Sequence, residues 1–87
     1  MMNIKVAIGH NIRTYRKSQG YTQEELAKLL RWKASYLGGI ERGQRNVTVV
    51  NLKKISDALH IPVQVLVTEG SGDWSKRPSL RRSPSST

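Results

Sequence analysis

Residues 22 to 43 read TQEELAKLLRWKASYLGGIERG, from Thr22 to Gly43, and the fold turns on how this stretch divides. Thr22 followed by Glu25 has the T-x-x-E spacing of a capping box, in which each side chain satisfies a free backbone N–H of the first turn. A helix therefore starts at Gln23. Leu26, Ala27 and Leu30 make its inner face, and the apolar rhythm then restarts out of phase at Tyr36, Leu37 and Ile40. Arg31, Trp32 and Lys33 are thus a turn, and a second helix runs from about Lys33 to Arg42, closed by Gly43. Gly38 and Gly39 sit side by side inside it, although each glycine costs a helix interior roughly 1 kcal/mol relative to alanine.

Working outward, Ile4, Ile8, Ile12 and Tyr15 follow at helical spacing and predict an amphipathic helix that runs to about Ser18 and stops at Gly20. After the second helix of the pair, Gln44 to Val47 read as a loop. Thr48 then caps a helix carrying Val49, Leu52, Ile55, Ala58 and Leu59 and ending near His60. Pro62 suits the first turn of a helix, so Val63 to Val67 are expected to form a short fifth one; the β-branched run from Ile61 to Val67 leaves a strand as the alternative. Past Thr68 the segment EGSGDWSKRPSLRRSPSST has almost nothing to bury. The expected organisation is an all-α, compact five-helix domain over residues 1–68 and a disordered, basic Ser/Pro/Arg-rich tail over 69–87.

The chain has 87 residues and no cysteine. It allows one small core held by apolar packing, with neither a disulfide framework nor a thiolate metal site. No apolar run approaches the roughly 18 to 20 residues of a membrane span. The N-terminal MMNIKVAIGHNIR lacks the unbroken apolar core of a signal peptide, so a cytoplasmic protein is expected. Fifteen Lys and Arg against six Asp and Glu give a formal charge of +9, and residues 1–68 alone hold eleven basic and four acidic side chains. A folded basic body of this kind points to nucleic acid more strongly than to an anionic membrane surface.

Two short helices joined by a tight turn, the second followed by a glycine and a basic loop, are the layout of a helix-turn-helix whose second helix enters the DNA major groove. With IGHNIRTYRKSQGYTQEELAKLL, ASYLGGIERGQRN and NLKKISDAL in this order, residues 8 to 67 resemble the lambda-repressor and Cro-like (XRE-type) helix-turn-helix regulators. They are especially similar to the controller-type regulators of restriction-modification systems. The resemblance implies a transcriptional regulator that binds palindromic operator DNA as a homodimer. It places Arg16 and Glu41 in a largely buried ion pair joining the first and third helices, and Gln23 against a DNA phosphate. Arg42, Gln44, Arg45 and Asn46 match the loop that meets the sugar-phosphate backbone. It also puts the dimer surface on the fifth helix, where Val63, Val65, Leu66 and Val67 offer more apolar side chains than one small core needs; the alternative is that all four are core.

Leu37 and Ile40 fix the buried side of the third helix, so Ala34, Ser35, Gly38, Gly39 and Arg42 are expected on the outward side that faces the groove. On this reading the glycines let the helix axis approach the base edges. The chain departs from the family pattern at Ala34, where relatives carry a long polar residue, and at Lys33, where they carry a capping Ser or Thr. Lys33 cannot accept the first-turn N–H but can reach a phosphate or a guanine edge. Ala34 and Ser35 specify little, so part of the sequence preference falls to DNA shape or to Arg31 and Lys33 at the turn. Trp32 is expected to plug the core with its ring edge exposed. His10 and His60 lie far apart in sequence, and nothing resembles a nucleophile with its base, a phosphate-cradling loop or a metal site. The expectation is therefore a non-enzymatic protein without metal, cofactor or small-molecule substrate. The rival reading is a scaffold domain that uses the same helices to bind protein or RNA. In the tail, Arg81, Arg82 and Ser83 resemble a basic kinase site, but a solvated extension adding a weak, salt-sensitive attraction to DNA is the better reading.

Overall fold

The computed structural model describes residues 3–68. Five helices follow in order: α1 (Ile4–Ser18), α2 (Gln23–Leu30), α3 (Ala34–Glu41), α4 (Val49–Leu59) and α5 (Val63–Val67). There is no strand among the described residues, and the β-branched run is helix from Val63 onward, led by Pro62 at φ −68°. The tail over 69–87 lies outside the described residues.

Helix starts are set by side chains. Asn3 Oδ1 accepts from Lys5 N–H at 2.8 Å. Thr22 accepts from Glu25 N–H at 3.0 Å while the Glu25 carboxylate accepts from Thr22 N–H at 2.8 Å, the complete capping box. Thr48 accepts from Asn51 N–H at 3.0 Å. The ends of α1 to α4 share one device, a left-handed residue whose N–H reaches back three positions while the next N–H reaches back five. It occurs at Gly20 (Gly20 to Lys17, Tyr21 to Arg16), Arg31 (Arg31 to Lys28, Trp32 to Ala27), Gly43 (Gly43 to Ile40, Gln44 to Gly39) and His60 (His60 to Asp57, Ile61 to Ser56).

The core is formed by Ile12, Leu26, Leu37, Ile40, Ile55, Leu59 and Leu66, all fully buried. α1 packs on α3 and α5, and α2 on α3 and α4. Gly9 permits the approach of α1 to α3. A Cβ placed there would lie 2.6 Å from the Glu41 carbonyl oxygen and closer still to that of Ile40, so only glycine lets α1 meet the α3 backbone. Two side-chain amides, a buried one at Asn11 and an exposed one at Gln19, then fasten the C-terminal half. Asn11 Nδ2 donates to the carbonyls of Leu66 and Thr68, both at 2.9 Å, and Gln19 Nε2 donates to the Leu59 carbonyl at 2.7 Å. These bonds occupy carbonyls that helix ends leave without intrahelical donors.

This docking corrects the expectation for α5. Val65 and Leu66 are core residues, 6% and 0% exposed, and have no surface to offer a second copy. Only Val63 and Val67 remain partly exposed, each leaning on the core from its edge.

Candidate nucleic-acid interface

The helix-turn-helix pair is locked by a buried polar cluster at the end of α3. Glu41 accepts from Arg16 Nε at 2.7 Å and from Nη2 at 3.0 Å, and the two side chains are 1% and 8% exposed. Arg16 Nη1 donates to the Tyr21 carbonyl at 2.7 Å, which ties α1 to the entry of α2. Glu41 Oε1 also accepts from Gln23 Nε2 at 2.9 Å. Gln23, read from the sequence as a phosphate contact, is therefore tethered to α3 by the same carboxylate that pairs with Arg16. Among the described residues no buried side-chain nitrogen or oxygen lacks a hydrogen bond, so the cluster is fully satisfied, the condition for burying charge at tolerable cost.

The two adjacent glycines are not bare, as the sequence reading had them. Gly38 and Gly39 are both buried, and what covers them is side chain. A Cβ at Gly38 would lie 3.1 Å from Arg42 Nη1 and 3.2 Å from Gln23 Oε1; one at Gly39 would lie 2.8 Å from Arg45 Cγ. The reason is geometric: an atom-poor stretch of helix leaves a shelf about as deep as a methyl group, and long neighbouring side chains fold into it. Gln23, Gly38, Gly39, Arg42 and Arg45 are thus brought together on one side of α3.

The other residues singled out fall around this cluster. Lys33, Ser35, Arg42, Gln44, Arg45 and Asn46 are exposed, and Ala34 is partly buried against the core. Lys33 precedes α3 without a side-chain bond to its first turn, and the Tyr36 N–H there donates to the Lys33 carbonyl at 3.1 Å. Arg42 Nε donates to Gln44 Oε1 at 3.1 Å, stiffening the exit from the helix. Sequence reasoning missed Tyr36 and Asn51. Asn51 Nδ2 donates to the Tyr36 hydroxyl at 3.1 Å, the Trp32 ring meets Tyr36 edge-on at 5.1 Å, and Arg45 Cζ stands 5.8 Å from the Tyr36 ring centroid. The signal was the aromatic at 36, which had been absorbed into the buried stripe although it is only partly covered. Trp32 is partly buried against the core. Val63 and Val67 belong to the α5 edge, which packs on α1 and α4.

Among the described residues no group of His, Asp or Glu is placed to hold a metal ion, and no helix is long and apolar enough to cross a membrane.

Residues 12–66 match the helix-turn-helix family model HTH_3. The chain is 37% identical over 67 residues to the control protein C.SmaI of Serratia marcescens, a match covering 77% of this chain and 80% of that protein. Its fold is similar to that of the restriction-modification controller protein C.AhdI from Aeromonas hydrophila, with a TM-score of 0.68 and 45% identity over 71% of this chain and 94% of that one. It is also similar to the hypothetical transcription factor NHTF from Neisseria, with a TM-score of 0.75 and 26% identity over 90% of this chain and 85% of that one.

Proposed function

The chain belongs to the helix-turn-helix family, in its XRE-type branch, and is a DNA-binding regulator of transcription; from that premise we propose that it binds a palindromic operator as a homodimer, with α3 of each copy in the major groove. The observation that carries the reading is the convergence of Gln23, Arg42 and Arg45 over the Gly38–Gly39 shelf. Lys33 flanks it at the other end of α3. The one acid of α3, Glu41, is neutralised by Arg16 beneath the surface, so the field presented by this side is positive.

The start of α2 with Gln23, and the loop with Arg42, Gln44 and Asn46, would hold the backbone and fix the register, while Lys33, Ala34 and Ser35 enter the groove. A single domain of this size covers half of an operator, and a two-fold pair would read both halves. With Val65 and Leu66 committed to the core, the surface for pairing reduces to Val63, Val67 and their α4 neighbours. The control proteins among its relatives are regulators, and we ascribe no catalysis to this chain.

Selection of binding sites from random duplex DNA tests the proposal. Two inverted half-sites are expected, bound about 10³-fold or more tighter than scrambled DNA at the same salt. A ratio near one would favour a protein- or RNA-binding scaffold instead. A monomer that persists in sedimentation with the selected operator would end the homodimer reading. Neighbouring genes identify the circuit: a restriction endonuclease gene beside this one marks a controller, a phage integrase a phage repressor, a toxin an antitoxin.

A further inference from the structure

We propose that Gly39 is a positioning residue that seats the Arg45 side chain along α3, and that the guanidinium so placed reads the edge of a guanine in the major groove. The inference rests on α3 being the groove-facing helix and adds a specificity-determining side chain that the helix itself does not supply.

The outward positions of α3 carry Ala34, Ser35, Gly38 and Gly39, too short to tell four base pairs apart through bidentate contacts. Arg45 lies in the following loop, yet its stem crosses directly above Gly39. Cγ is 2.8 Å and Cδ and Nε are 3.5 Å from where a Cβ would stand, so any other residue at 39 displaces it. The guanidinium continues to the Tyr36 ring, 5.8 Å from its centroid, within the range of a cation–π contact. Tyr36 is itself fixed, by the Asn51 amide at its hydroxyl and the Trp32 ring against its side.

The arrangement draws the head of Arg45 back over the helix instead of leaving it to swing freely in the loop. Among the described residues this guanidinium has neither a hydrogen-bond acceptor nor an acidic partner, so its five donors await an external acceptor. A rigid planar fork held along a groove-facing helix matches the paired O6 and N7 acceptors of guanine. The shelf, the tyrosine and the unspent fork together distinguish Arg45 from Arg42, whose Nε donates to Gln44.

The test compares the sites selected from random DNA by the full chain and by three variants, with melting temperatures as a check on folding. Arg45→Ala is expected to erase one guanine preference in each half-site, lowering affinity for the selected site by about 5- to 150-fold and for scrambled DNA by much less. Arg45→Lys keeps the charge and is expected to lose the same preference while retaining most scrambled-DNA binding. Gly39→Ala, which favours the helix, is expected to weaken the preference at that same base pair without lowering the melting temperature. Equal weakening of selected and scrambled DNA by Arg45→Ala would make Arg45 a phosphate contact and overturn the proposal. So would an unchanged motif in Gly39→Ala. A wild-type chain that selects no motif would overturn the operator reading itself, and this inference with it.

Discussion

Gly9 and Glu41 carry the fold at the scale of single residues, and neither does so through its own exposed chemistry. At Gly9 the missing side chain is the function: the atoms a Cβ would strike are the carbonyl oxygens of Ile40 and Glu41, which belong to a helix and cannot yield. Gly9→Ala is expected to cost about 3 kcal/mol, at the upper end of overpacking penalties, and a thermal melt indistinguishable from wild type would show that α1 and α3 can part freely. Glu41→Ala strands the Arg16 guanidinium in a nearly closed space and is expected to cost about 3 to 5 kcal/mol. Denaturant titration measures this; a loss below about 1 kcal/mol would mean that water reaches the pair. The same substitution frees Gln23 from its tether. DNA affinity should therefore fall further than in a variant of equal stability altered elsewhere. The sequence offers Arg16 and Glu41 as family positions and Gly20 as a helix stop, where φ is +83°, but it contains no mark that Gly9 is required, because that need comes from a neighbouring helix.

At the scale of elements, the helices begin and end on local instructions. Thr22, Thr48, Gly20 and Gly43 each act within five residues of themselves, which is why the starts of α2 and α4 and the ends of α1 and α3 are readable before any tertiary contact is known. Two ends use the same left-handed device without glycine, at Arg31 (φ 63°) and His60 (φ 58°). A side chain in that conformation costs roughly 1 to 2 kcal/mol, partly offset by the greater freedom glycine has when unfolded. Arg31→Gly and His60→Gly are each expected to stabilise the domain by about 0.5 kcal/mol, raising Tm by about 2 to 4 °C. A lowered Tm in both would mean that these side chains make contacts outweighing the backbone strain.

For the whole molecule, charge and core decide separate things. Eleven basic against four acidic side chains over residues 1–68 set the strength of attraction to any polyanion, whatever its sequence. Lys33→Ala combined with Arg42→Ala should lower the slope of log affinity against log salt by about 2 on duplex DNA. An unchanged slope, read by titration at several salt concentrations, would remove these two cations from the interface. The number of helices, their order and their limits were written in the sequence, since capping, breaking and periodicity act between residues a few positions apart. That Gln23 lies over Gly38, how Gln23 is held, and which α5 valines face inward depend on residues brought together from 15 or more positions away. Periodicity assigns a side to each position, but only the packed chain determines which neighbours fill the space on that side.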